Sequence, residues 1–150
     1  MCQVSALPTV QCQRRLGNPW PQQKLTIMIN TRTAVLVVED EALVRMGIVV
    51  SLEDAGFEVF EASNYDEAIS KLVSNPSISA MFTDIDMLPG LNGLDLAIAV
   101  RRRWPPVKII VTSGHRHIRN EDLPVVGRFV GKPYDGELVA ASLREIMMVA

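Results

Sequence analysis

Ala34-Val35-Leu36-Val37-Val38 is an unbroken aliphatic run, and Glu39-Asp40-Glu41 follows it at once. A run rich in β-branched residues with no polar interruption is the pattern of a strand buried on both faces, as in a parallel sheet covered by helices. The same unit then recurs along the chain. Glu41 to Ala55 reads as a helix with apolar Leu43, Val44, Ile48 and Leu52, ended by Gly56. Phe57 to Glu61 is a second strand, and Asn64 caps a helix from Tyr65 to Val73 whose inward stripe is Ala68, Ile69, Leu72 and Val73. Ile78 to Thr83 is a third strand. Leu94 to Trp104 is a helix stopped by Pro105-Pro106, Val107 to Val111 and Val125 to Val130 are strands, and Asp135 caps a last helix to about Met148. Only His115 to Pro124 breaks the rhythm, being polar with room for a short helix around Arg119 to Leu123. Strict alternation implies right-handed crossovers and an α/β fold, with a five-stranded, doubly wound parallel sheet of order 2-1-3-4-5.

Composition agrees with one such domain. The 150 residues are 48% hydrophobic, 5% aromatic and 21% charged, and a chain of this size buries enough surface to fold alone. Fifteen Lys and Arg against seventeen Asp and Glu argue against a nucleic-acid partner. Cys2 and Cys12 are too few and too peripheral for a disulfide framework. No apolar run reaches the roughly 18 residues of a membrane span, and the late, short patch Leu25 to Ile29 is a poor secretory signal. A cytoplasmic protein without membrane insertion is expected. Residues 1–32, interrupted by Pro8, Pro19 and Pro21, read as a flexible N-terminal extension to a folded domain over 33–150, with Met28 an alternative start of translation.

Ligands of open α/β sheets bind beyond the carboxyl ends of the strands. There this sequence places Glu39, Asp40 and Glu41 after the first strand, Asp84 and Asp86 after the third, Thr112 and Ser113 after the fourth, and Lys132 after the fifth. Two carboxylates about 5 Å apart repel by roughly 3 kcal/mol at an effective dielectric near 20, so a proton or a cation belongs between them. An all-oxygen set suits Mg2+ or Mn2+ better than zinc. Such an ion aligns a phosphoryl donor, Asp84 is the candidate nucleophile for an acyl phosphate, and Thr112 and Lys132 are placed to meet the phosphoryl oxygens. Taken singly, Asp40 also reads as the N-cap of the first helix, Asp84 as a turn residue and Lys132 as a solvated loop residue. Four polar signals at four strand ends of one sheet point to a site.

The segments Val-Leu-Val-Val-Glu39-Asp40-Glu41, Phe82-Thr83-Asp84-Ile85-Asp86-Met87, Asn92-Gly93, Ile110-Val111-Thr112-Ser113-Gly114 and Phe129-Val130-Gly131-Lys132-Pro133-Tyr134 resemble, in order and spacing, the receiver domain of two-component response regulators. The resemblance covers about residues 33 to 148. It implies a flavodoxin-like fold and a phosphorelay role, with Asp84 accepting phosphate from a histidine kinase or a histidine phosphotransfer protein. Glu39, Asp40, Asp84 and the backbone carbonyl of Asp86 would hold Mg2+, Thr112 would be the switch hydroxyl and Lys132 its ion-pair partner. Phe129 matches the aromatic switch position, and Lys132-Pro133 matches a peptide bond that is cis in the family. The implied partners are that phosphodonor and a downstream target protein, for a monomer or weak dimer. A stand-alone receiver is expected, with no enzymatic activity beyond its own phosphorylation and dephosphorylation. Leu88, inserted before Pro89-Gly90, departs from the family's loop after the acceptor, and the polar segment 115–124 departs from a long fourth helix.

Two other readings compete. Asp84-Ile85-Asp86 mimics the D-x-D pair of haloacid-dehalogenase-type phosphatases, although Glu39 and Asp40 lie upstream, the wrong order for that family. A pseudo-receiver that docks without phosphotransfer would have no need of the full acidic set and Lys132. His115 and His117 form an H-x-H that reads as solvated loop residues.

Overall fold

Alternation within the first strand separates the two layers of the core. In β1 (Ala34–Val38) every residue is buried. Leu36 and Val38 join one apolar cluster, while Val35 and Val37 join another, because successive side chains leave a strand on opposite faces. The computed structural model describes residues 32–87, 90, 92–115 and 118–149. Apart from Arg32, the expected flexible extension lies outside the described residues, as do the expected start at Met28, the inserted Leu88 and His117.

After β1 come α1 (Ala42–Asp54), β2 (Glu58–Ala62), α2 (Tyr65–Ser74), β3 (Ile78–Asp84), α3 (Gly93–Arg103), β4 (Lys108–Ser113), β5 (Arg128–Gly131) and α4 (Gly136–Met148). The strands form one sheet in the order β2-β1-β3-β4-β5, with every neighbouring pair parallel. On one face, Ala68 and Leu72 of α2 and Leu96 and Val100 of α3 pack against Leu36, Met81, Ile109 and Val111. On the other, Ile48 and Leu52 of α1 and Val139 and Leu143 of α4 pack against Val35, Val37, Phe82 and Ile110. The doubly wound sheet is therefore as expected. Among its described residues the connection from β4 to β5 holds a 3-10 turn, Asn120–Asp122, with Ile118 and Leu123 packed on the core but no continuous helical stripe. No helix among the described residues is long and apolar enough to cross a membrane.

Helix starts are written locally. Asn64 accepts from the Glu67 N–H and Asp135 from the Leu138 N–H. Asn92 and Asp95 form a reciprocal capping box at α3. Beyond shifts of one or two residues at element ends, expectation and structure part at four places. Leu43 is 78% exposed and Val73 is also exposed. Each lies five positions from a buried residue of its stripe, Ile48 and Ala68, and so about 140° around the helix. β5 begins at Arg128 rather than Val125: the Val126 carbonyl is taken by Arg101 Nη2 instead of a ladder partner, and pairing opens at Ile110 with Arg128. Asp40 is not the cap of α1; Glu41 holds that position, without a side-chain bond.

Gly136 opens α4 hard against α1. A Cβ built there would lie 2.1 Å from the Ser51 Cβ, so the two helices meet through the absence of a side chain. Gly136→Ala should destabilise the fold by about 1–3 kcal/mol through overpacking, measured by urea unfolding. Ser51→Gly in the same chain should recover part of that loss, because it removes the opposing carbon.

Candidate active site at the strand ends

Parallel register puts the chemistry in one row. Asp84 ends β3 directly beside Thr112 of β4, and Ser113 pairs with Gly131, one residue before Lys132. The ladder runs on beyond the strands: Glu39 N–H donates to the Ala62 carbonyl at 3.1 Å, Ile85 N–H to Thr112 at 2.8 Å and Lys132 N–H to Ser113 at 3.1 Å. Glu39 and Lys132 are thus fixed by the backbone as firmly as strand residues. Gly93 makes room for the end of β3, since a Cβ there would fall 2.0 Å from the Asp84 carbonyl oxygen. The Lys132-Pro133 bond is cis, as the resemblance implied.

The acidic residues converge. Glu39, Asp40 and Asp84 offer carboxylate oxygens within 4.8 Å of one another. Glu39 and Asp84 are 1% and 3% exposed, an unusual burial for charge. Lys132 Nζ donates to Asp84 Oδ2 at 2.7 Å and lies 3.5 Å from Glu39 Oε2. On its own, burial would lower the Lys132 pKa. The Asp84 hydrogen bond and the charges of Asp84 and Glu39 outweigh it and raise the pKa. Burial pushes the Glu39 carboxyl from 4.5 up to about 7; the Glu41 N–H and the Lys132 charge oppose the shift, and the Asp84 charge adds to it. Glu39 Oε1 accepts from the Glu41 N–H at 3.1 Å, whereas the buried Glu39 Oε2 has no hydrogen-bond partner among the described residues. A buried carboxylate oxygen that makes no hydrogen bond among the described residues and faces an ammonium only at 3.5 Å, in an all-oxygen acidic set, fits a hard divalent ion such as Mg2+ or Mn2+.

A cavity of about 320 Å³ opens over these groups, with Glu41, Asp86 and His115 at its rim. Thr112 and Phe129 do not line it. The Thr112 Oγ1 is buried beside β3 without a hydrogen-bond partner among the described residues. Phe129 packs partly buried against the cluster on the α2 and α3 side, with its N–H donating to Asn120 Oδ1 at 2.7 Å. Asp86 donates its N–H to Asp84 Oδ1 at 3.0 Å. Its carboxylate is turned instead to the Ser113 hydroxyl. Burial alone would raise the Asp86 pKa, but the bonds from Ser113 and His115 lower it.

Two contributions were not legible in the sequence. Arg45 Nη1 donates to the Glu39 carbonyl at 2.7 Å, and its Nε lies 3.7 Å from Glu61. A helical side chain leans toward the helix N-terminus, and an arginine in the first turn after Glu39-Asp40-Glu41 was the signal available. His115, read as solvated, does expose 85% of its side chain, yet its Nδ1 lies 3.4 Å from Asp86 Oδ2.

The raised Glu39 pKa fixes a pH dependence. Without divalent ions, the folded chain binds a proton at Glu39 between about pH 4.5 and 7 that the unfolded chain has released. The Glu39 contribution to stability is therefore full below about pH 4.5 and is lost as pH rises through about 7. Urea unfolding in EDTA should show this decline, and Glu39→Gln, which cannot ionise, should flatten it.

The family model for the response regulator receiver domain matches residues 35–141. The chain is 34% identical over 131 residues to a probable transcriptional regulatory protein of Picosynechococcus, covering 79% of this chain and 51% of that protein. It is 30% identical over 129 residues to the sensor kinase CckA of Brucella abortus, covering 83% of this chain and 13% of that protein. The chain thus spans about half of the first relative and a small part of the second. Among solved structures it is similar to a response regulator receiver protein from Pseudomonas putida, with TM-score 0.67 and 31% identity over 76% of this chain and 97% of that one. That family differs from the phosphatase family whose D-x-D pair Asp84 and Asp86 mimic. With parallel strands that gather Glu39, Asp40, Asp84 and Lys132 at one edge, and a family match over most of its length, the chain belongs to the receiver domains of two-component response regulators.

Proposed function

We propose that this receiver takes a phosphoryl group on Asp84 from the phosphohistidine of a histidine kinase or a histidine phosphotransfer protein, and so switches a surface that docks on a downstream target protein. The observation that carries the reading is the nearly buried Asp84 carboxylate, held by Lys132 at 2.7 Å within an acidic cluster. The relatives support the partners: one is named a sensor kinase and another a transcriptional regulatory protein.

One Asp84 carboxylate oxygen attacks phosphorus as the bond from phosphorus to the histidine nitrogen breaks. The imidazole leaves with that electron pair. Water later cleaves the acyl phosphate, releasing inorganic phosphate and restoring the carboxylate. Glu39, Asp40 and Asp84, with the backbone carbonyl of Asp86, are the residues that would hold Mg2+ or Mn2+, and the bound ion offsets charge on the phosphoryl oxygens. Lys132 meets one of those oxygens through a charge-assisted hydrogen bond. The phosphoryl group adds roughly 1.5 to 2 negative charges. Its oxygens give the unpartnered Thr112 hydroxyl a site to donate to, and Phe129, on the neighbouring strand, reports that change at the surface formed by β5, α4 and the 3-10 turn.

Incubation with Mg2+ and phosphoramidate or acetyl phosphate should add one phosphoryl group to the intact mass. Asp84→Asn and EDTA should each abolish the gain. Lys132→Ala, which leaves the acceptor carboxylates without their cation, should reduce it by about tenfold or more. No gain from small donors, together with no transfer from phosphorylated kinases of the same cell, would instead make this domain a docking module that works without phosphotransfer.

A further inference from the structure

The carboxylate of Asp86 ties together two loops that lie far apart in the chain. Its Oδ2 accepts from Ser113 Oγ at 2.5 Å and lies 3.4 Å from His115 Nδ1. The His115 backbone N–H closes the group by donating to Ser113 Oγ at 3.2 Å. These three side chains clasp the loop after β3 to the loop after β4 at the mouth of the acidic crevice. The clasp reaches the acceptor on one side, because the Asp86 N–H donates to Asp84 Oδ1 at 3.0 Å. It reaches Thr112 on the other, because Ser113 is its covalent neighbour. Thr112 meanwhile keeps a buried hydroxyl without a hydrogen-bond partner among the described residues, an unfavourable state that some other interaction must offset.

We propose that Ser113 and His115 are positioning residues which, through Asp86, hold Thr112 drawn back from the acceptor. The clasp opens as the Thr112 hydroxyl reaches toward a phosphoryl group on Asp84. This inference rests on the phosphoacceptor reading and adds a control on that same site. A clasp that must open for Thr112 to advance lowers the fraction of molecules competent to hold the switched arrangement. The apparent affinity for any phosphoryl-like ligand falls by the same fraction. Ser113 to Asp86 is a short, charge-assisted bond and supplies most of the effect. His115, with 85% of its side chain exposed, supplies less.

The test compares the full chain with its Ser113→Ala and His115→Ala variants, titrated with fluoroberyllate in Mg2+ by 19F NMR, and with Mg2+ alone. Ser113→Ala should bind fluoroberyllate about tenfold more tightly, the worth of one hydrogen bond to a charged group. His115→Ala should tighten it by roughly twofold, as befits an exposed ion pair. Affinity for Mg2+ alone should stay unchanged in both. A merely structural Ser113 would lower the unfolding midpoint without tightening fluoroberyllate. Equal or weaker fluoroberyllate binding by folded Ser113→Ala overturns the clasp. Should that variant fail to fold, His115→Ala decides, since it leaves Ser113 in place; an unchanged affinity there overturns the proposal. If the unaltered chain neither binds fluoroberyllate nor gains a phosphoryl group on Asp84, the failure lies instead with the phosphoacceptor reading.

Discussion

Repulsion among carboxylates held out of water is the constraint around which this domain is arranged. Glu39, Asp40 and Asp84 bring their oxygens within 4.8 Å of one another, and two of the three residues are buried. Lys132 is the cation that faces both buried members. One ammonium stands against three acids, and the Glu39 carboxyl is pushed up to about 7, chiefly by burial and in lesser part by the Asp84 charge. A site in this condition favours whatever brings positive charge, first a proton and then, at neutral pH, a divalent ion. A low local dielectric makes that preference stronger than it would be at the surface.

Holding such a cluster together requires a rigid frame, and the parallel sheet supplies it. Asp84 and Thr112 are ladder partners, and backbone bonds continue past the strand ends to Glu39 and Lys132. The two apolar clusters, one on each face, bury the frame from both sides. The electrostatic cost at the edge is thus offset by packing beneath it, in the way functional sites commonly depart from the local rules that the rest of a fold obeys. The Thr112 hydroxyl and Glu39 Oε2, which make no hydrogen bond among the described residues, are departures of the same kind. Each is a polar group kept out of water beside the place where the proposed phosphoryl group and its ion would provide partners.

The sequence made the frame legible for a simple reason. A strand covered on both faces has to be aliphatic throughout, and Ala34 to Val38 is aliphatic whatever its neighbours are. Caps are equally local: Asn64, Asn92 and Asp135 each bond an amide within three residues. The misplaced details have a local cause too. Leu43 and Val73 are apolar residues of the helical pattern, yet a rotation of about 140° from buried Ile48 and Ala68 turns them to solvent. Val125 and Val126 look like strand, but the first residue of β5 to find a ladder partner is Arg128, opposite Ile110.

By itself, then, the sequence determined the alternation of elements, the parallel doubly wound sheet and the set of strand ends that bear acids, a hydroxyl and an ammonium. Those properties depend on periodicity and on the residues that end each apolar run. Only the tertiary structure decided which of those groups touch. Lys132 meets Asp84 across 48 positions, Ser113 meets Asp86 across 27, and Arg45 turns back to the Glu39 carbonyl. Such pairings depend on the register between strands and on the paths of the loops beyond them. A hydrogen bond forms or fails over a few tenths of an ångström, a distance that no pattern of residue types along a single chain can specify.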